Sequence, residues 1–180
     1  MFDEDIKIAG NKPSLSIKQN SVLTNKESDV PKEVADKAKL LGKLVGDEFC
    51  KASDAYPNAA PETDNNMLVQ RLLLLSFTVT VGFDKHLNDE AIAGIAQKSF
   101  LKTVKNTSSE LYKYTSDTGA FSFYYLAYRR GSEVDRRMGQ TFAMLCSHDG
   151  DPIYQELGEV LYCWFSSLIE NTVDKIFNNK

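Results

Sequence analysis

Apolar positions recur at steps of three and four along most of the chain. From residue 31, Val34, Ala38, Leu41, Val45 and Phe49 fall on one helical face, while Lys32, Glu33, Lys37, Lys39, Lys43, Asp47 and Glu48 decorate the others. Met67 to Phe83 is nearly continuous apolar sequence and predicts a buried central helix. Its seventeen residues, one of them Arg71, fall short of the roughly 20 that a membrane span needs. Within it Phe77-Thr78-Val79-Thr80-Val81 alternates with strand period. Helix is still the expectation, because no second strand candidate exists to satisfy a lone strand's backbone groups.

Further on, Ile92, Ile95, Ala96, Phe100 and Val104 mark a third helical face, with Asn88 as its expected cap. Ser108 or Ser109 restarts a short helix through Tyr114, and Ser116-Asp117-Thr118-Gly119 forms the next turn. Ala120 to Ser147 reads as helix interrupted at Gly131-Ser132, with Ser132 capping the second part. A last helix carries Ile153, Leu157, Val160, Leu161, Trp164, Leu168 and Ile169; Val160 to Phe165 is apolar all round and predicts burial on most sides.

The five prolines punctuate this pattern. Pro31 and Pro152 stand where helices should begin, preceded by Asp29 and Asp151, and none falls between residues 62 and 151. Tyr56 to Pro61 is a loop, with Thr63 as the next cap. Residues 1–30, rich in Asn, Lys, Ser and Asp, read as a polar N-terminal arm to a helical domain over 31–180. The expected fold is an all-α single-domain bundle of six or seven helices, with 63–86 and 152–177 as its buried central pair.

Composition changes little. The 180 residues are 42% hydrophobic with net charge −4, which suits one domain with a real core and gives no general attraction to nucleic acid or anionic membranes. Cys50, Cys146 and Cys163 are too few for a disulfide framework. With the acidic start Met1-Phe2-Asp3-Glu4-Asp5, unlike a secretory signal, they predict a cytoplasmic setting.

Arginine is where the chain departs from average. Four of its five arginines, Arg129, Arg130, Arg136 and Arg137, lie within nine residues, just after Tyr124, Tyr125 and Tyr128. A planar guanidinium suits bidentate contacts to carboxylate or phosphate, so Arg129, Arg130, Arg136, Arg137, Tyr124, Tyr128 and the isolated Arg71 are the candidate ligand-binding residues, for an anionic small molecule. The competing expectation is structural: Glu133 and Arg137 pair at i, i+4 and the tyrosines pack in the interior. Base stacking is opposed by the interleaved acids. Arg71, if buried, must meet a carboxylate such as Glu110, Glu156 or Glu159, or line a cavity.

Cys146-Ser147-His148-Asp149-Gly150-Asp151 gathers potential metal ligands, but lacks a matching second pair, and a helix end at Asp149-Gly150 followed by a cap at Asp151 accounts for it. No catalytic motif is present, and neither metal nor cofactor is expected. The leading expectation is a non-enzymatic interaction or regulatory module that meets a protein partner or a second copy of itself. The alternative is a helical domain, enzymatic or not, that holds an anionic small molecule through Arg129–Arg137.

Overall fold

The computed structural model describes residues 30–54, 65–115 and 118–178. The expected N-terminal arm, the 56–61 loop, the Thr63 cap and the turn at Ser116-Asp117 lie outside these. The fold is an all-α bundle, and the described residues form seven α-helices: α1 (Lys32–Asp54), α2 (Asn65–Leu87), α3 (Glu90–Thr107), α4 (Ser109–Tyr114), α5 (Thr118–Arg129), α6 (Val134–Leu145) and α7 (Pro152–Val173). A single π turn, Asp174–Asn178, continues α7.

The helix starts show which local signals the backbone used. Pro31 sits one residue ahead of α1, where its carbonyl accepts the Ala35 N–H at 2.9 Å. Asp151 caps α7 by accepting from the Ile153 N–H at 2.9 Å, with Pro152 in the first turn. Ser108 caps α4 through the Leu111 N–H. At α3 the cap is Asp89 and not Asn88: the Asp89 carboxylate takes the N–H groups of Ala91 and Ile92 at 2.8 and 3.0 Å. Asn88 instead adopts φ 51°, the left-handed conformation that ends the preceding helix. At α6 the expected Ser132 cap is replaced by Glu133, at φ 48°, whose side chain makes no capping bond.

The Phe77–Val81 segment is helix. Its threonines are accommodated because Thr78 donates to the Leu74 carbonyl at 2.8 Å and Thr80 to that of Ser76 at 3.3 Å. That i−4 back-bonding satisfies hydroxyls inside a helix, so a polar residue at every second position costs little here. At 23 residues α2 is longer than its apolar run suggested, and it is long and apolar enough to cross a membrane by length and composition. Most of that stretch is buried against other helices, which explains its apolarity through packing.

Two apolar clusters form the core. Ala38, Leu41, Val45 and Phe49 of α1 meet Leu75, Val79 and Phe83 of α2, Ala96 and Phe100 of α3, and Phe165 and Ile169 of α7. The second joins Leu74 and Phe77 of α2 to Tyr124 of α5, Met138 and Phe142 of α6, and Leu161 and Tyr162 of α7. Helices α2 and α7 contribute to both, which makes them the central pair. The all-round burial expected for Val160–Phe165 does not occur: Phe165 is fully buried, but Val160 and Trp164 are 56% and 44% exposed. Neighbouring helices cover only one side of α7.

Candidate functional site

The four clustered arginines do not converge. Arg129, Arg130 and Arg136 are exposed around the α5–α6 connection, and Arg137 is half-buried. Arg137 folds back on the connection, its Nη1 donating to the Ser132 carbonyl at 2.6 Å and its Nη2 to the Ser132 hydroxyl at 3.4 Å. The expected Glu133–Arg137 pair is replaced by Glu133–Arg136 at 3.5 Å. The reason is local: the Glu133 carbonyl accepts the Arg137 N–H at 3.1 Å, but Glu133 itself is left-handed, so its side chain does not leave the backbone as a helical residue's would, and Arg137 is held by Ser132. This exposed pair contributes well under about 1 kcal/mol.

The two candidate tyrosines separate. Tyr124 is fully buried, its ring 5.6 Å from that of Phe77, and its hydroxyl has no hydrogen-bond partner among the described residues. It is out of reach of any ligand held by the surface arginines. Tyr128 is half-buried, edge-on to Phe77 at 6.3 Å, and reaches a surface cleft of about 510 Å³.

Four helices and one connection build that cleft. Lys85 comes from the last turn of α2, Tyr128 from α5, Gly131 from the connection, Val134 and Asp135 from the start of α6, and Tyr162, Cys163, Ser166 and Ser167 from α7. Gly131, at φ 77°, supplies the left-handed turn that brings the α6 start alongside. Burial, then Tyr128, Asp135 and Cys163, push the Tyr162 phenol up to about 12. Burial, Asp135 and Glu159 push the Cys163 thiol up as well, so it is a neutral thiol near pH 7 and a poor nucleophile. Burial also holds the Tyr124 phenol well above its ordinary value.

These raised values predict alkaline sensitivity. The folded state retains phenolic protons that the unfolded chain releases from about pH 10, so stability is intact below pH 10 and falls as pH rises towards 12. Urea titrations at pH 9 and pH 11 should show the loss, and Tyr124→Phe/Tyr162→Phe should flatten it. An unchanged slope in the double variant would place the sensitivity elsewhere.

Arg71 lies on another face. It is 9% exposed, and its Nη2 donates to the Ala52 carbonyl at 2.7 Å, tying the end of α1 to the start of α2. It also lines a shallow cleft of about 390 Å³ with Glu48, Lys51, Ala52, Val160, Leu161 and Trp164.

The segment Cys146–Asp151 does the work of a chain reversal. Cys146 is buried, Ser147 turns left-handed at φ 64°, the His148 N–H returns to the Ala143 carbonyl at 2.9 Å, and the His148 ring stacks on Tyr154 at 3.8 Å. Among the described residues no three His, Cys, Asp or Glu side chains gather as metal ligands. Sequence reasoning missed Lys85, Tyr162, Ser166 and Ser167, whose only shared signal is proximity in the fold. Compared with protein-family models, curated proteins and solved structures, the chain matches none.

Proposed function

We propose that the chain is a helical protein-interaction module that associates with a second copy of itself through the outer face of α7. The observation that carries this reading is a row of exposed apolar side chains: Ile153 at 74%, Val160 at 56% and Trp164 at 44%. At 100° per residue these three fall within about 40° of one another around the helix, so they form one stripe and not scattered exposures.

The stripe is self-complementary. In an antiparallel pairing with the two-fold axis between residues 158 and 159, Ile153 of one copy faces Trp164 of the other, and half-buried Leu157 faces Val160. That is the isologous arrangement of a cyclic dimer. Glu48 and Lys51 beside Trp164 give the apolar stripe a mixed polar rim, the usual anatomy of an interface, and tryptophan is among its most frequent anchors.

A single helix pair makes a small interface, so the expected Kd is about 10 μM. Sedimentation velocity across the micromolar range should follow a monomer–dimer equilibrium. Val160→Glu puts a charge at the centre of the stripe and should give a monomer with an unchanged circular dichroism spectrum. A wild-type chain that remains monomeric at about 100 μM, an order above that Kd, would refute the self-association.

A further inference from the structure

The cleft between α2, α5, α6 and α7 borders that face at Ser167 and has a chemistry of its own. Its volume of about 510 Å³ is in the range of small-molecule sites. The lining holds one carboxylate, Asp135, two phenol rings, Tyr128 and Tyr162, the apolar Val134, the hydroxyls of Ser166 and Ser167, and a single cation, Lys85. Of the arginines near it, Arg136 pairs with Glu133 and Arg137 holds Ser132. Asp135 makes no ion pair among the described residues.

Asp135 is the lining group whose charge reaches Tyr162 and Cys163. Besides burial, Asp135 raises both the Tyr162 phenol and the Cys163 thiol, and Glu159 adds to the effect on Cys163. An anion beside Asp135 is repelled, and Arg136 and Arg137, two of the arginines that favoured one, are turned to Glu133 and Ser132. A metal ion would need several ligands together, and no three gather among the described residues. A carboxylate beside aromatic rings is instead the combination that holds an organic cation: the carboxylate neutralises the charge, and the ring faces attract the ammonium and cover its alkyl groups.

We propose that this cleft binds a small organic ammonium ion, its charge against the Asp135 carboxylate and its alkyl body against Tyr128, Tyr162 and Val134. Lys85 lies in the same lining, so a carboxylate on the ligand gains a partner there, and zwitterionic amines bind more tightly than simple ones.

The test is a ¹H–¹⁵N shift titration of the full chain with tetramethylammonium chloride and with n-butylammonium chloride, against sodium chloride and sodium butyrate at equal ionic strength. The expected result is saturable shifts at Gly131, Asp135, Cys163, Ser166 and Ser167 with either ammonium salt only. Asp135→Asn should weaken binding at least about ten-fold, in proportion to the charge contact it removes. Ser167→Trp, at an exposed position on the rim, should block the cleft without disturbing the core. Shifts that fail to saturate or that match sodium chloride, equal shifts with butyrate, or undiminished binding in both variants would each overturn the assignment.

Discussion

Gly42→Ala is expected to destabilise the chain by about 3 kcal/mol, the upper end for overpacking, and to lower Tm by about 6–12 °C. Helices α1 and α3 make the most extensive contact in the bundle, and their crossing is set by Gly42 and Gly46, one turn apart on α1. A Cβ added at Gly42 would overlap the Ala96 carbonyl oxygen and lie 2.8 Å from the Ser99 Cβ and 2.9 Å from the Phe100 backbone nitrogen. Two of these three atoms are backbone, so no rotamer change relieves the overlap and the helices must separate. Separation loosens Ala38, Leu41 and Val45 from Ala96 and Phe100 along the whole first core.

Gly46→Ala provides the contrast. Its added Cβ would meet the Thr103 Cβ at 2.9 Å and Cγ2 at 3.0 Å, and the nearest backbone atom lies at 3.4 Å. The Thr103 Cβ moves only with its backbone, but the contacts are longer than at Gly42 and none is a backbone overlap, so a smaller shift of α3 suffices and the expected loss is about 1–2 kcal/mol. Urea denaturation of the two variants measures the difference. Since alanine is the better helix former, helix propensity alone would stabilise both variants, and equal losses would mean that the backbone overlap at Gly42 does not set the crossing distance.

The architecture was legible because its signals are local. The 3.6-residue period located α1, α3 and α7, and Asp151-Pro152 marked the start of α7, since a cap needs only the next two or three residues to act. Where local signals competed, the sequence was ambiguous. Asn88 and Asp89 are both good caps, and the choice followed from Asn88 ending α2 in the left-handed conformation. The strand-like Phe77–Val81 resolved through hydroxyl bonds that no hydropathy pattern contains.

Sites were much less legible. Arginine clustering marked the α5–α6 connection, which with Tyr128 borders the cleft, but the Arg137 guanidinium serves the connection itself. The groups that line the cleft come from residues 85, 128–135 and 162–167, and their meeting depends on tertiary packing. Likewise the outward turn of Val160 and Trp164 follows from how few helices surround α7, which an apolar run cannot reveal.

Phe142→Ala should cost about 4 kcal/mol, within the range for removing a fully buried phenylalanine. The size of the loss depends on whether neighbours can fill the vacated space. Opposite Phe142 stands Gly158, where an added Cβ would lie 2.5 Å from the Phe142 Cβ and 2.8 Å from its Cγ. That side of the ring is therefore closed by the α7 backbone, which has no side chain to move inwards, so much of the cavity persists. The variant should nevertheless unfold in one step. Leu75 and Val79 of α2 face the first core while Leu74 and Phe77 face the second, and on α7 Phe165 and Ile169 serve one while Leu161 and Tyr162 serve the other. Neither cluster can lose its packing without freeing a helix that the other requires. Urea transitions followed by far-ultraviolet circular dichroism and by Trp164 fluorescence should coincide, at a lower midpoint than wild type. Separate midpoints in Phe142→Ala would mean that α5 and α6 melt from a still-folded α1–α3 half, and that the shared helices do not couple the two cores.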